Sequence, residues 1–288
     1  MSVEALGGAG GGSGRWSGRQ PSELDKVWRA VLVQWRVFSA VFVREASMRR
    51  GQAYGLGWFV GALEPLMMIA ALAALFSVTN HQPAYGPSML LFLGTGVFPL
   101  YIFLYTSIRV RQPATLITAG RFPLEMPLDE IVAHALLHLI STVVVAFAFF
   151  AALAFAGIRD AVPHDIPALI GSTFTLYLFG VGVGIFNAAI SRILPFWSIL
   201  WSGTVRLIYH FSGLYYVIDF FSPGARRFFA ANPITHGLNW FRHAFYPFYP
   251  DTSSDGGFVT FWALVAVFLG LCLERAFRRE YMRAERFI

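Results

Sequence analysis

Long apolar segments alternate with short polar stretches along the whole chain. Six segments are apolar almost throughout: 58–78, 89–108, 131–157, 166–190, 193–218 and 258–273. A helix needs about 20 apolar residues to cross the hydrocarbon layer of a membrane. The last segment reaches that length only if its neighbours extend into the interface. The pattern therefore predicts an all-α polytopic membrane protein with six transmembrane helices.

The region before the first apolar segment has a different pattern. Residues 1–21 are glycine-rich, so we expect disorder and no cleavable signal peptide. In residues 22–50, Val27, Val31 and Trp35 recur at helical spacing, with arginines on other faces. This pattern predicts an amphipathic helix at the cytoplasmic membrane interface, or alternatively a helix packed on a soluble partner. Residues 51–288 form the predicted membrane domain.

Charge placement gives the predicted topology. Only 13% of the residues are charged, against about 25% in soluble domains, and the net charge is +6. With both termini in the cytoplasm, 17 of the 22 lysines and arginines fall on the inner side. This asymmetry is what the positive-inside rule requires of a protein of the cytoplasmic membrane. The single cysteine, Cys272, cannot form an intrachain disulfide.

Two connecting segments are more than simple loops. Residues 109–130 are polar and interrupted by three prolines, which leaves room for one small helix around 114–119. Residues 219–257 are too polar to span a membrane and too aromatic to be fully solvated. We expect two short re-entrant periplasmic helices there, at 223–231 and 234–245, separated by Asn232 and Pro233.

Most common catalytic chemistry is not expected in this chain. A P-loop requires Gly-Lys-Ser/Thr, and the only lysine, Lys26, follows Asp25. His134 and His138 have metal-ligand spacing but lack further candidate ligands, so interhelical hydrogen bonding is the favoured role. We expect no catalytic residue, no metal and no nucleic-acid partner.

Two charges fall inside predicted membrane helices. Glu64, next to Pro65, lies in the first third of the first segment, and Arg206 lies midway along the fifth. Intramembrane ionisable groups are costly and usually face protein or water. Arg206 either pairs with Glu64 or backbone carbonyls, or lines a water-filled path for an anionic substrate.

Several motifs together resemble a known family. They are an Arg-Glu followed by an arginine pair, Gly-Leu-Gly leading to Leu-Glu-Pro at 55–65, and Asn-Pro-Ile-Thr-His with a later Phe-Arg at 232–242. Their order relative to six spans resembles the type-2 ABC exporter permeases of polysaccharides. Capsular polysaccharide permeases look most similar, with O-antigen and teichoic acid permeases as near relatives.

The resemblance implies a function and a set of partners. The chain would be the permease of an ATP-driven exporter of lipid-anchored, anionic capsular polysaccharide. It would form a homodimer with two copies of a cytoplasmic ABC ATPase, which would bind ATP and Mg, so that the permease itself needs no cofactor. A periplasmic adaptor and an outer-membrane exporter would complete the system.

The resemblance also implies roles for particular residues. A coupling helix contacting the ATPase would contain Gln112, Pro113, Thr115, Leu116, Ala119 and Arg121. The substrate path would be lined by Arg206, Trp197, Trp201, Tyr209, Tyr215, Tyr216, Tyr101 and Tyr105. Because Glu64 and Pro65 fall in the cytoplasmic third of the first span, we also expect the cytoplasmic mouth of the path to include Gly55, Gly57, Trp58, Glu64 and Pro65. An outer gate would include Asn232, Pro233, Trp240 and Arg242.

Other functions remain open on the residues alone. A membrane-embedded enzyme acting on lipid-linked glycans would require inward-facing Asp, Glu or His residues clustered at one depth. A channel or a structural membrane scaffold is a third class.

Overall fold

A computed structural model describes residues 56–117, 127–194, 196–250 and 254–284, together with Trp28, Leu32, Trp35, Arg36 and Ser39. Side chains are described within 63–111 and, except for Arg192, within the described part of 135–277. The longer regular elements in these ranges are eight α-helices: α1 (Leu56–Val78), α2 (Met89–Ile117), α3 (Pro127–Phe155), α4 (Ile166–Ile193), α5 (Trp197–Phe211), α6 (Pro223–Ala230), α7 (Pro233–His243) and α8 (Gly256–Ala284). The prediction of an all-α polytopic protein is confirmed for this part of the chain.

Little of the predicted interfacial helix is described. Its five described residues are helical, and Trp28, Leu32 and Trp35 are exposed at spacings of four and three residues. They therefore share one exposed helix face. The glycine-rich leader predicted at 1–21 lies outside the described residues.

Two predicted spans end too early. Helix α2 continues nine residues beyond 108, so residues 109–117 extend it instead of starting a separate helix. Helix α8 likewise runs from Gly256 to Ala284, well past the predicted end at 273. Arginine is a good helix former. The charged residues thus mark where each helix leaves the apolar layer, not where it stops.

The predicted fifth span is wrong in its bounds. In place of one helix over 193–218, α5 covers the 15 residues Trp197–Phe211, a rise of about 22 Å. An irregular buried segment follows, in which Gly213 has a φ of +76° that ends the helix. Four of the described helices are long and apolar enough to cross a membrane: Met89–Arg111, Ala135–Phe155, Ile166–Ser191 and Gly256–Phe277. Within α1 the corresponding described stretch is Leu63–Val78, which is shorter.

Helix α2 is the centre of the bundle. It contacts α1, α3, α4 and α7. In its most apolar stretch 83% of the residues are buried inside the protein, whereas only 17% are buried in the corresponding stretch of α8. Its buried side chains include Phe92, Phe98 and Phe103. A helix apolar on all sides belongs inside a bundle, whereas the exposed apolar face of α8 suits lipid.

Glycines allow α4 to approach two neighbours closely. A Cβ on Gly180 would lie 2.6 Å from the carbonyl oxygen of Phe103 on α2. A Cβ on Gly182 would lie 2.5 Å from the backbone nitrogen of Val267 on α8, and one on Gly270 would lie 2.9 Å from the carbonyl oxygen of Gly182. Small residues let membrane helices pack backbone to backbone. Alternate glycines thus fix α4 between α2 and α8.

The two short helices predicted between the fifth and sixth spans are present. They are α6 and α7, and the chain breaks between them at Asn232 and Pro233 as predicted. Helix α7 contacts α2, α4 and α8, and most of its residues are buried. Helix α6 buries none of its residues.

Candidate functional site

Helix α5 presents a polar stripe on its exposed face. Ser198, Ser202, Arg206 and His210 recur every fourth residue, and all four side chains are exposed. Residues four apart lie on the same side of a helix. The opposite face carries Trp197, Trp201, Val205, Ile208 and Tyr209, which are half-buried. Arg206 therefore faces away from its own bundle.

Glu64 belongs to a separate aromatic cluster between α1, α2, α3 and α5. The hydroxyl of Tyr105 donates a hydrogen bond to Glu64 Oε1. The Tyr105 ring stacks on Tyr101 with centroids 4.6 Å apart and on His138 at 5.9 Å, and Tyr101 meets the edge of Tyr209 at 6.4 Å. The structure thus joins a predicted mouth residue, Glu64, to three predicted path tyrosines.

The position of these groups bears on the two alternatives for Arg206. The Glu64 carboxylate is bound by Tyr105, and no contact between Glu64 and Arg206 occurs among the described residues. The Arg206 side chain is exposed on α5. An exposed guanidinium on an apolar helix needs water, a partner chain or an anion to be stable in a membrane.

Three of the remaining predicted path residues lie near the two ends of α5. Trp197 Nε1 donates to Asn187 Oδ1 at 2.9 Å. At the other end, the Tyr216 hydroxyl donates to the carbonyl oxygen of His210 at 2.5 Å, and the Tyr215 ring lies 6.0 Å from the His210 ring. Tyr215 and Tyr216 therefore follow α5 instead of lying within it.

Arg242, predicted at an outer gate, is fully buried. Its guanidinium donates to the carbonyl oxygens of Gly213 at 2.8 Å and Leu214 at 2.9 Å, and to the Tyr249 hydroxyl at 3.2 Å. It also lies 4.3 Å from the centre of the Phe92 ring. Burial raises the pKa of Tyr249, so its hydroxyl stays neutral and can donate onward to Asn239. Arg242 thus connects α7 to α2 and to the segment after α5.

The other predicted gate residues shape the start of α7. The Asn232 side chain accepts a hydrogen bond from Ile234 N at 3.1 Å and caps the helix, and Pro233 takes the first helical position. The Trp240 ring fills the space beside Gly171 and Gly256, where an added Cβ would come within 2.7 and 3.2 Å of it. These side chains pack at the end of the bundle where α4 and α8 begin.

Part of the predicted site cannot be placed. Gly55, Ala119 and Arg121 lie outside the described residues. Only the helical backbone is described for Gly57 and Trp58 in α1 and for Gln112, Pro113, Thr115 and Leu116 in α2. Pro65 is described, and it is buried within α1.

Some residues of the site have weak signals in the sequence. Asn187, which is 1% exposed, and the glycines of α4 lie in an apolar segment that predicts only a span. The Gly180 to Gly184 spacing is the pattern that could have revealed the close packing.

His236 is the histidine of the Asn-Pro-Ile-Thr-His motif, and the sequence assigned it no role of its own. Its Nε2 lies 2.8 Å from the carbonyl oxygen of Ala230, and its Nδ1 accepts from Asp255 N at 3.0 Å, so it connects α7 to α6 and to the start of α8.

The described residues contain no group of three or more His, Cys, Asp or Glu side chains that could hold a metal ion. The candidate site instead has two parts, the tyrosine cluster around the Glu64 carboxylate and the exposed stripe of hydroxyl, guanidinium and imidazole groups on α5. Such groups bind hydroxylated or anionic molecules through hydrogen bonds, stacking and charge.

The apolar bundle defines a polytopic membrane protein, and comparison with known proteins gives its family. The chain belongs to the ABC-2 type transporter family, which matches residues 36–246. Among characterised proteins it is similar to the capsule polysaccharide export inner-membrane protein BexB of Haemophilus influenzae, with 23% identity over 252 residues, covering 87% of this chain and 94% of BexB. It is also similar to the polysialic acid transport protein KpsM of Escherichia coli, with 25% identity over 254 residues, covering 87% and 96%.

Proposed function

We propose that this protein is the permease subunit of an ATP-driven exporter that moves an anionic capsular polysaccharide across the bacterial inner membrane. The observation that carries the proposal is the stripe of Ser198, Ser202, Arg206 and His210 on the exposed face of α5. Membrane helices place such groups toward water or protein, not lipid. The similarity to BexB and KpsM over nearly their whole length supports a polysaccharide as the substrate.

In the proposed assembly two copies of the chain face each other across the pathway. Helix α5 buries no residue within its own protomer, and the outer half of α1 exposes most of its side chains. A second copy would cover these faces and enclose the polar stripe. Two copies of a cytoplasmic ABC ATPase would bind at the inner ends of the helices, and both termini of the chain would lie in the cytoplasm. A periplasmic adaptor and an outer-membrane exporter would receive the polymer.

The outer helices fit a re-entrant pair. A Cβ on Gly237 would lie 2.6 Å from Leu176, which is ten residues, or about 15 Å, along α4 from its outer end. Ala244, just after α7, accepts hydrogen bonds from His164 N and Asp165 N at that outer end. With the proposed orientation, α7 would rise from inside the bundle to its outer surface. We assign α6 and α7 as the outer closure of the pathway.

The role of Arg206 is tested by export in the source organism. Arg206→Ala should lower the amount of polysaccharide at the cell surface while the complex with the ATPase still purifies. Arg159→Ala, which removes an exposed arginine in the connection between α3 and α4, is the matched control and should export normally. Failure of Arg206→Ala to fold or assemble would show a structural role and contradict the proposal.

The ATPase contact is tested separately. Replacing residues 112–121 with a flexible Gly/Ser linker should abolish co-purification of the ATPase, because the proposed contact would be lost. A complex that survives this replacement would place the coupling contact elsewhere. If the chain exports O-antigen or teichoic acid instead, deleting its gene should retain that polymer, and not capsule, inside the cell.

A further inference from the structure

We propose that α5 is held in place at its two ends and is free to move at its centre. Asn187 and Arg242 are the positioning residues that hold the two ends. The inner end is held by the indole of Trp197, whose Nε1 donates to Asn187 Oδ1 at 2.9 Å. The Trp197 ring also lies edge-on to Phe186 of α4 at 6.4 Å. Because Asn187 is almost completely buried, it is a fixed point in the bundle.

The outer end is held by backbone carbonyls. Arg242 donates to Gly213 and Leu214, the second and third residues after α5, at 2.8 and 2.9 Å. Asn232 Nδ2 donates to the carbonyl oxygen of Phe211, the last residue of α5, at 3.2 Å. Hydrogen bonds from a charged donor are stronger than neutral ones, and a buried carbonyl that loses its donor is destabilising. The outer end is therefore fixed by α7.

The middle of α5 has no such attachment. Among the described residues, Ser198 to Ile208 make their hydrogen bonds within α5 or to the residue directly before or after it, as in Ser202 Oγ to Ser198 O, Thr204 Oγ1 to Leu200 O and Ser212 Oγ to Ile208 O. Its lateral contacts are half-buried apolar side chains such as Val205 and Ile208, until Tyr209 meets Tyr101 near the outer end. Sideways displacement of the middle breaks no hydrogen bond to another element, whereas displacement of either end breaks at least one.

The structure therefore assigns a direction of movement to α5. Its centre can bow toward or away from the bundle while its ends stay in place. The consequence for transport rests on the proposed function, since bowing would change the width of the path beside Arg206. The two-end arrangement itself can be tested without transport.

The experiment uses the full-length purified chain in detergent. Cys272→Ala removes the only cysteine, and single cysteines at Ser198, Ser202 or His210 then carry a spin label at the inner, middle or outer part of α5. Arg242→Met should shorten the rotational correlation time of the label at position 210 about twofold and leave position 198 unchanged. Trp197→Phe, which removes the indole donor, should have the reverse effect.

The control label sits on native Cys272, which is exposed on α8 and should not respond to either change. If Arg242→Met does not fold, Asn232→Asp replaces it, because the carboxylate still accepts from Ile234 N but cannot donate to Phe211. Unchanged motion at position 210 in a folded variant would overturn the proposal, and so would equal loosening at all labelled positions. Neither the ATPase nor the polymer is present in this experiment. A negative result would therefore not affect the proposed export function, and a negative export assay would not affect the proposed attachment of α5 at its two ends.

Discussion

The contact between Gly182 of α4 and the backbone of α8 allows a quantitative prediction. A Cβ at this position would lie 2.5 Å from Val267 N and 2.7 Å from the carbonyl carbon of Ala266. Ordinary van der Waals contact begins at 3.4 Å, so Gly182→Ala must move the two backbones apart by about 0.9 Å. No side chain can rotate to relieve this overlap, because the nearest atoms belong to the backbone.

The expected loss of stability follows from two opposing effects. Overpacking a tight interior costs about 1–3 kcal/mol. Replacing glycine by alanine inside a helix stabilises the helix by up to about 1 kcal/mol. Because the overlapping atoms are backbone, we take the upper part of that range, about 2–3 kcal/mol, for the cost of overpacking. The net destabilisation of Gly182→Ala is then about 1–2 kcal/mol, which corresponds to a fall in Tm of roughly 2–8 °C for a chain of this size.

The assay is thermal unfolding of the purified protein in detergent, followed by tryptophan fluorescence. Gly203→Ala on α5 is the matched control, because an added Cβ there meets nothing within 4 Å. It should leave Tm unchanged or raise it slightly. Equal Tm values for the two variants would refute the reasoning, since they would show that α4 and α8 can separate without cost.

Two further predictions concern the candidate site and the outer helices. Glu64→Gln should lower export while the ATPase complex still assembles. Tyr105→Phe should have the same effect, because each change alters the hydrogen bond between these two side chains. Wild-type export from both variants would show that this pair has no part in the mechanism. Asn232→Ala should lower the free energy of unfolding by about 1 kcal/mol through loss of the α7 cap, and slightly further because the hydrogen bond from Asn232 Nδ2 to the Phe211 carbonyl oxygen is also lost. Asn232→Ser, which can still cap, should recover most of that loss in the same thermal assay, and identical Tm values for the two variants would show that capping is not the cause.

The helices themselves follow largely from hydrophobic pattern and chain breakers. Length and apolar content locate α1, α3 and α4 to within four residues, and Asn232 with Pro233 correctly separates α6 from α7. The pattern misplaces helix ends wherever charge begins before the helix stops, as at the ends of α2 and α8. It also extends α5 through Ser212 and Gly213, because a buried irregular segment has the same composition as a buried helix.

The arrangement of the site was less accessible from sequence. Glu64 and Tyr105 lie 41 positions apart, and their hydrogen bond depends on how α1 packs on α2. Arg242 illustrates the same limit. The resemblance implied a place at the outer gate, but it gave no indication that the guanidinium is buried against carbonyls 28 and 29 positions earlier in the chain. Such contacts between distant residues carry no local periodicity.

The four-residue repeat on α5 sets a length scale for movement along the helix. Four residues rise about 6 Å, so Ser198, Ser202, Arg206 and His210 offer polar groups at about 6 Å intervals over roughly 18 Å. On the proposed pathway, a polymer that advances by one interval exchanges each contact for a neighbouring one. Conduction requires binding that is spread over several weak sites, so that entering and leaving are both possible. The free-energy barrier to each step then reflects the exchange of a few hydrogen bonds, whatever the length of the polymer.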